Sequence, residues 1–187
     1  LELAWTGLRD ASGRTALTYH GVDIVSPLIE EHTRAEKLQR IAARARVNAS
    51  FELLNVVSTP LRRAYDLVLS RDLFIHLRNR DVRRALRNFA QSGSRFLLAS
   101  STDVRSNAEL PGGEYTDHEA GHDVNLQLPP IGLPPPICSA FQYQEGGENG
   151  HPLEPAAGLG VWDLPATTFA HGGAEPDSPS TGRAATA

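Results

Sequence analysis

Between residues 65 and 77 apolar character stops and restarts. Leu67, Val68 and Leu69 run together, break at Ser70, Arg71 and Asp72, and resume at Leu73, Phe74, Ile75 and Leu77 around His76. A short unbroken apolar run is how a strand buried on both faces reads. Ligands of open α/β sheets sit just beyond the carboxyl ends of such strands. Ser70, Arg71 and Asp72 therefore fall where a ligand would be met.

The same reading extends along the chain. Tyr19–Val25 predicts a short strand, and Ser26-Pro27 supplies an N-cap and a first-turn proline for the helix that follows. Leu28, Ala35, Leu38, Ile41 and Ala42 form one stripe of that helix to about residue 44. Glu30 and Glu31 come early, and Lys37, Arg40, Arg44 and Arg46 late, as the helix macrodipole favours. Phe51–Asn55 and Tyr65–Ser70 predict two more strands. Val82, Ala85, Leu86 and Phe89 then repeat at i, i+3, i+4, i+7 with arginines opposite, a helix that Asn79 can cap and Gly93 can end. Arg95–Ser100 is a fourth strand.

Beyond residue 101 the texture changes. Residues 103–123 read as a long polar loop, Val124–Leu128 alternates like a strand, and Pro129, Pro130, Pro134, Pro135 and Pro136 impose an extended path. Ile137–Tyr143 and Leu159–Leu164 predict a closing hairpin, and residues 165–187 read as a disordered tail. Strands alternating with helices predict an α/β fold with a mostly parallel sheet and an antiparallel C-terminal hairpin.

Composition narrows this picture only a little. With 187 residues the chain is long enough for one domain with a sizeable core. Eighteen basic and 22 acidic residues leave a formal charge of −4, a balance that gives no electrostatic case for a nucleic-acid or membrane-surface partner. No apolar run reaches the roughly 20 residues needed to span a bilayer, so no membrane partner is expected. The single cysteine, Cys138, rules out an internal disulfide framework and fits a reducing, cytoplasmic location. In its apolar surroundings Cys138 reads as buried filler. The chain has no methionine and starts at Leu1, so it reads as a fragment or processed product whose targeting is not assessable. Oligomeric state has no sequence signal.

Tyr19–Val25, Tyr65–Leu77, Arg84–Ser100, Asn125–Pro136 and Leu159–Leu164, in this order, resemble successive segments of class I S-adenosylmethionine-dependent methyltransferases. The resemblance covers roughly residues 19–164. It implies a partial methyltransferase domain over residues 1–164, with a Rossmann-like, doubly wound sheet, and S-adenosylmethionine as cofactor. The methyl acceptor is not implied. In such a site an acid at the end of the second strand accepts hydrogen bonds from both ribose hydroxyls. Asp23 matches it, with Ile24 beside it to pack on adenine. Asn55 and Val56 stand where the family places a polar residue near the adenine amino group. Ser70, Arg71 and Asp72 would line the methionine end, and His76 would be a candidate catalytic base.

The chain departs from the family at its start. Such a methyltransferase needs a first strand ending in a glycine-rich turn, so that backbone can approach the cofactor closely. Residues 1–18 contain no Gly-x-Gly element. The resemblance therefore implies that the first strand and its turn are missing, which leaves open edges on the neighbouring strands. A non-catalytic, methyltransferase-like binding module is the alternative.

A third reading comes from His118-Glu119-Ala-Gly-His122, which matches the H-E-x-x-H pattern of zinc hydrolases. That pattern works only on a helix, where i and i+4 share a face. Pro111, Gly112, Gly113 and Gly121 argue against a helix here, so no metal ligand is assigned. There is no phosphate-binding P-loop, no CxxC pair and no Gly-x-Ser-x-Gly nucleophile elbow.

Overall fold

A computed structural model describes residues 17–45, 47–108, 121–143 and 157–165. In chain order the elements are strand β1 (Leu17–Asp23), helices α1 (Ser26–Arg34) and α2 (Glu36–Ala45), strands β2 (Val47–Leu53) and β3 (Leu67–Ser70), and a 3-10 turn (Phe74–His76). They continue with helix α3 (Asn79–Gln91) and strands β4 (Phe96–Thr102), β5 (Cys138–Tyr143) and β6 (Ala157–Asp163). The fold is α/β, as the alternation predicts. Among the described residues the strands form two sheets. One is the parallel pair β1-β2; the other has the order β3-β4-β6-β5, with β3 and β4 parallel and β6 antiparallel to both its neighbours.

The expected C-terminal hairpin is therefore present, and β6 lies inside it, between β4 and β5. Among the described residues β1 and β3 are each bonded on one edge alone. Val22 of β1, with Leu54 and Val56 just past β2, packs against the core of the larger sheet, and polar contacts lie beside them. His20 Nδ1 is hydrogen-bonded to the Tyr65 hydroxyl and the two rings stack at 5.8 Å. His20 Nε2 lies 3.3 Å from Glu52, whose other oxygen takes Arg62 at 2.6 Å.

The core belongs to the larger sheet. Val82, Ala85, Leu86 and Phe89 of α3 pack with Leu97, Ala99 and Trp162 of the strands and with Val124, Leu126, Ile131 and Leu133. This is the apolar stripe the i, i+3, i+4, i+7 spacing predicts. The first helical region behaves differently. Its predicted single helix is two, broken at Ala35, whose ψ of 97° is extended. Val25, not Ser26, is the N-cap residue, and Glu30 and Glu31 fall after the first turn. The predicted stripe is only weakly buried, with Leu38 37% and Ile41 45% exposed.

Other expectations shift locally. The second strand begins earlier, at Val47, and ends at Leu53. Asn79 is the first residue of α3 and not its cap; Arg78 takes that place without a side-chain cap bond. Val124–Leu128 is no strand. Asn107 and Asn125 hold it as a turn, since Asn107 Nδ2 donates to the carbonyls of Asn125, Leu128 and Pro129 while the Asn125 N–H donates to Asn107 Oδ1 at 2.8 Å. Side-chain amides have replaced ladder bonds there. Cys138 is exposed, not buried.

The two faces of the larger sheet differ sharply. Leu97, Ala99 and Trp162 point to the core face, whereas Leu67 and Leu69 on the other are 44% and 53% exposed. Phe96, Leu98 and Val161 share that second face by register and are half-buried. An apolar patch beside an unpaired strand edge favours self-association. Replacing Leu67 and Leu69 together by lysine is expected to reduce aggregation on heating. Both side chains are already half in water, so the unfolding free energy should change by only about 1 kcal/mol. Light scattering during a thermal ramp, with circular dichroism alongside, measures both.

Candidate functional site

The candidate residues lie at the carboxyl ends of three strands. At the end of β1, Asp23 Oδ1 accepts the Val25 N–H at 2.8 Å, and the Asp23 carbonyl accepts the Leu54 N–H at 2.9 Å. Asp23 thus both turns the chain toward α1 and ties the ends of β1 and β2 together. Its second carboxylate oxygen has no partner among the described residues. Ile24, next to it, is 62% exposed, a large apolar side chain presented to solvent.

Past the end of β2, Asn55 Oδ1 accepts the Val57 N–H at 2.9 Å, while the Asn55 carbonyl accepts the N–H groups of Ser58 and Thr59. The side chain builds its own Asx turn through Oδ1. Val56 is 8% exposed and belongs to the core cluster. It therefore offers no side-chain surface to a ligand, and its carbonyl is held by Asn88 Nδ2 at 2.8 Å. Apolar character alone did not reveal that Val56 points inward.

The end of β3 is the most constrained point. Asp72 has φ 55°, the left-handed region, in which a non-glycine residue is uncommon and strain often marks function. Aspartate tolerates this better than most residues. Its N–H donates to Ser100 Oγ at 2.7 Å, so a buried β4 hydroxyl fixes the turn after β3. Arg71 Nε reaches Asp72 Oδ2 at 3.2 Å in an exposed pair worth little to stability. Ser70 is 4% exposed, and its hydroxyl is buried without a hydrogen-bond partner among the described residues. Buried polar atoms are nearly always satisfied, so an orphaned hydroxyl at a strand end is a candidate ligand contact.

His76 closes the 3-10 turn with its side chain exposed to solvent. A second histidine lies against the same segment. The His122 N–H donates to the Ile75 carbonyl at 3.0 Å, and His122 Nε2 bonds the Leu77 carbonyl at 2.9 Å. A carbonyl can only accept, so Nε2 donates this bond, while Nδ1 is buried without a partner among the described residues. Sequence reasoning met His122 only as part of the H-E-x-x-H pattern. Its contact with residues 75–77 crosses 45 positions and has no local signal.

The zinc reading loses its support at the same residue. Residues 121–125 are not helical, and the Nε2 of His122 is taken by a backbone carbonyl. His118 and Glu119 lie outside the described residues, and so does the residue 1–16 region in which a glycine turn was sought. Among the described residues no three metal-binding side chains come together. No helix among them is long and apolar enough to cross a membrane.

No protein-family model matches the chain, and no curated protein does. Among solved structures it is similar to TehB from Haemophilus influenzae, at 13% identity and a TM-score of 0.47 over 76% of this chain and 48% of that one. It is likewise similar to magnesium protoporphyrin IX methyltransferase from Synechocystis with bound SAM, at 16% identity and a TM-score of 0.47, over 76% of this chain and 58% of that one. The N-methyltransferase NodS from Bradyrhizobium japonicum is similar at 12% identity and a TM-score of 0.42, over 80% and 85% of the two chains. This chain thus spans about half the length of the first two proteins.

Proposed function

We propose that this chain carries the S-adenosylmethionine site of a class I methyltransferase domain. The observation that carries the reading is the placement of Asp23, Asn55 and Ser70–Asp72 at or just past the carboxyl ends of β1, β2 and β3, all parallel-paired strands. That is where open α/β sheets receive ligands. The sequence resemblance, which assigned these residues in advance, supports it.

The residues fit the cofactor in part. Asp23 offers a carboxylate oxygen to a ribose, Ile24 an apolar surface to a purine, and Ser70 a buried hydroxyl that lacks a partner. Val56 does not fit as a side-chain contact, because it is buried. When bound, S-adenosylmethionine supplies an electrophilic methyl group on a sulfonium. The chain's own contribution is positioning: Asp23 holds the ribose, and the turn at Asp72, fixed by Ser100, sets the methionine end. In-line displacement depends mainly on such alignment. His76, exposed beside this end, is available to take a proton from an acceptor.

Titration calorimetry of the purified chain with S-adenosylmethionine and S-adenosylhomocysteine tests the reading. One saturable site for each is expected. A folded chain that takes up neither at millimolar concentration would leave the non-catalytic, methyltransferase-like module as the better account.

A further inference from the structure

We propose that the outer face of α3, with the loop beside it, docks the phosphate backbone of a single-stranded nucleic acid. The chain-wide charge of −4 averages over a strong local asymmetry. Residues 61–95 contain nine arginines against three acids, Asp66, Asp72 and Asp81. Four of the arginines, Arg80, Arg83, Arg84 and Arg87, lie on α3 at the spacing that aligns side chains along one face. Gln91 extends this line, and the opposite positions Val82, Ala85, Leu86 and Phe89 are buried in the core.

The basic face is only partly neutralised. Asp81, 3% exposed, draws in Arg78, Arg80 and Arg84 at 3.7, 3.8 and 3.3 Å. Arg83 and Arg87 form no ion pair among the described residues, and Arg87 Nε does no more than reach the Arg83 carbonyl at 3.4 Å. Beside them lies an open cavity of about 400 Å³ lined by Val57, Ser58, Arg84, Arg87, Asn88 and Gln91. Its walls hold two guanidinium groups, two amides and a hydroxyl, and no acid. Asn88 bonds the Val56 and Val57 carbonyls at 2.8 and 3.1 Å, so the loop wall is fastened to the helix and the cavity is held open.

The chemistry of this face selects the partner. Guanidinium groups match phosphate oxygens in two-point hydrogen bonds. From Arg80 to Gln91 the face runs about 16 Å along the helix axis, longer than one phosphate group and suited to a repeating anion. Apolar anchors, which a peptide hot spot or a membrane surface needs, are confined to Val57. Backbone electrostatics alone are enough for sequence-independent nucleic-acid binding. The loop wall of this cavity, Val57 and Ser58, adjoins Asn55 and Val56 of the proposed cofactor site, but none of these arginines belongs to that site, so the inference does not depend on that reading.

The test is fluorescence anisotropy of a labelled oligouridine of about 20 nucleotides with the full chain. If about three phosphates are neutralised, raising salt from about 50 to about 200 mM should weaken binding roughly 20-fold. The double variant Arg83→Ala/Arg87→Ala should bind at least about tenfold more weakly with a flatter salt dependence. Alanine is the best helix former and both sites face outward, so circular dichroism should show the variant folded. Arg40→Ala, on α2, should leave binding unchanged. No binding by the wild type at low salt would overturn the proposal, as would a double variant that binds like wild type. Displacement of the oligonucleotide by polyglutamate at equal charge would overturn it in favour of an acidic protein partner.

Discussion

Trp162→Ala is expected to lower the unfolding free energy by about 3–5 kcal/mol, a large share of the roughly 5–15 kcal/mol that holds a domain folded. Trp162 is 1% exposed and sits on β6, the strand between β4 and β5, so its indole is in the middle of the larger sheet. The ring lies across Gly160: a Cβ built there would stand 2.4 Å from the indole edge, so glycine is what lets the ring lie flat on its own strand. Indole Nε1 donates to the Pro134 carbonyl at 2.8 Å, which fastens the proline-rich segment over the core. Alanine removes the ring, leaves a cavity and strands that carbonyl. Trp162→Phe refills much of the volume but not the hydrogen bond, and should cost about 1–3 kcal/mol. Urea unfolding followed by circular dichroism should show both as shifts in midpoint with an unchanged slope. A loss under about 1 kcal/mol for the alanine variant would mean that the β4-β6-β5 packing is not what holds the domain together.

Asp23→Ala is expected to weaken S-adenosylmethionine binding by about 10- to 100-fold. Hydrogen bonds to a charged group contribute about 1.5–3 kcal/mol, and each 1.4 kcal/mol is a factor of ten. The same carboxylate holds the Val25 N–H through Oδ1, so alanine also loosens the turn into α1. Asp23→Asn separates the two roles. Its carbonyl oxygen can keep the Val25 bond, while the second acceptor becomes a donor that a ribose diol matches less well. Calorimetric affinity should therefore fall for both variants, with the thermal midpoint nearly unchanged in Asp23→Asn. Wild-type affinity in the asparagine variant would remove Asp23 from the cofactor site.

The Leu67–Leu69 run reads as a strand buried on both faces, yet Leu67 and Leu69 are 44% and 53% exposed; the amphipathic helix was legible because its signal is local and periodic. Val82, Ala85, Leu86 and Phe89 repeat every turn, and burying that stripe against Leu97 and Ala99 is the only way to remove it from water. The helix over residues 26–44 carried a similar stripe, yet it breaks at Ala35 and leaves Leu38 and Ile41 half in solvent. A stripe states what could be buried; whether a surface exists to receive it depends on the sheet. Val124–Leu128 misled for a related reason. Its alternation is real, since Val124 and Leu126 are buried, but Asn107 and Asn125 offered its backbone a cheaper set of hydrogen bonds than a neighbouring strand.

The candidate site divides along the same line. That Ser70–Asp72 end a strand followed from an apolar run stopping at polar residues, whereas Asp23 and Asn55 came from the family resemblance, and Asn55 lies two residues past the end of β2. The left-handed backbone of Asp72, its tether to Ser100 and the orphaned Ser70 hydroxyl depend on a β4 partner 28 residues away. His122 entered the segment around His76 through contacts 45 residues apart.

The sequence by itself determined the α/β class, the core stripe of α3 with arginines opposite it, and the polar break at Ser70–Asp72 after an apolar run, because each follows from spacing between nearby positions. Only the tertiary structure decided that the described strands divide into two sheets, that Val56 turns inward, and that Val57 and Ser58 meet Arg84 and Arg87 of α3 around one cavity. Those outcomes depend on which distant groups compete for the same space and the same hydrogen bonds, and no local pattern along the chain records that competition.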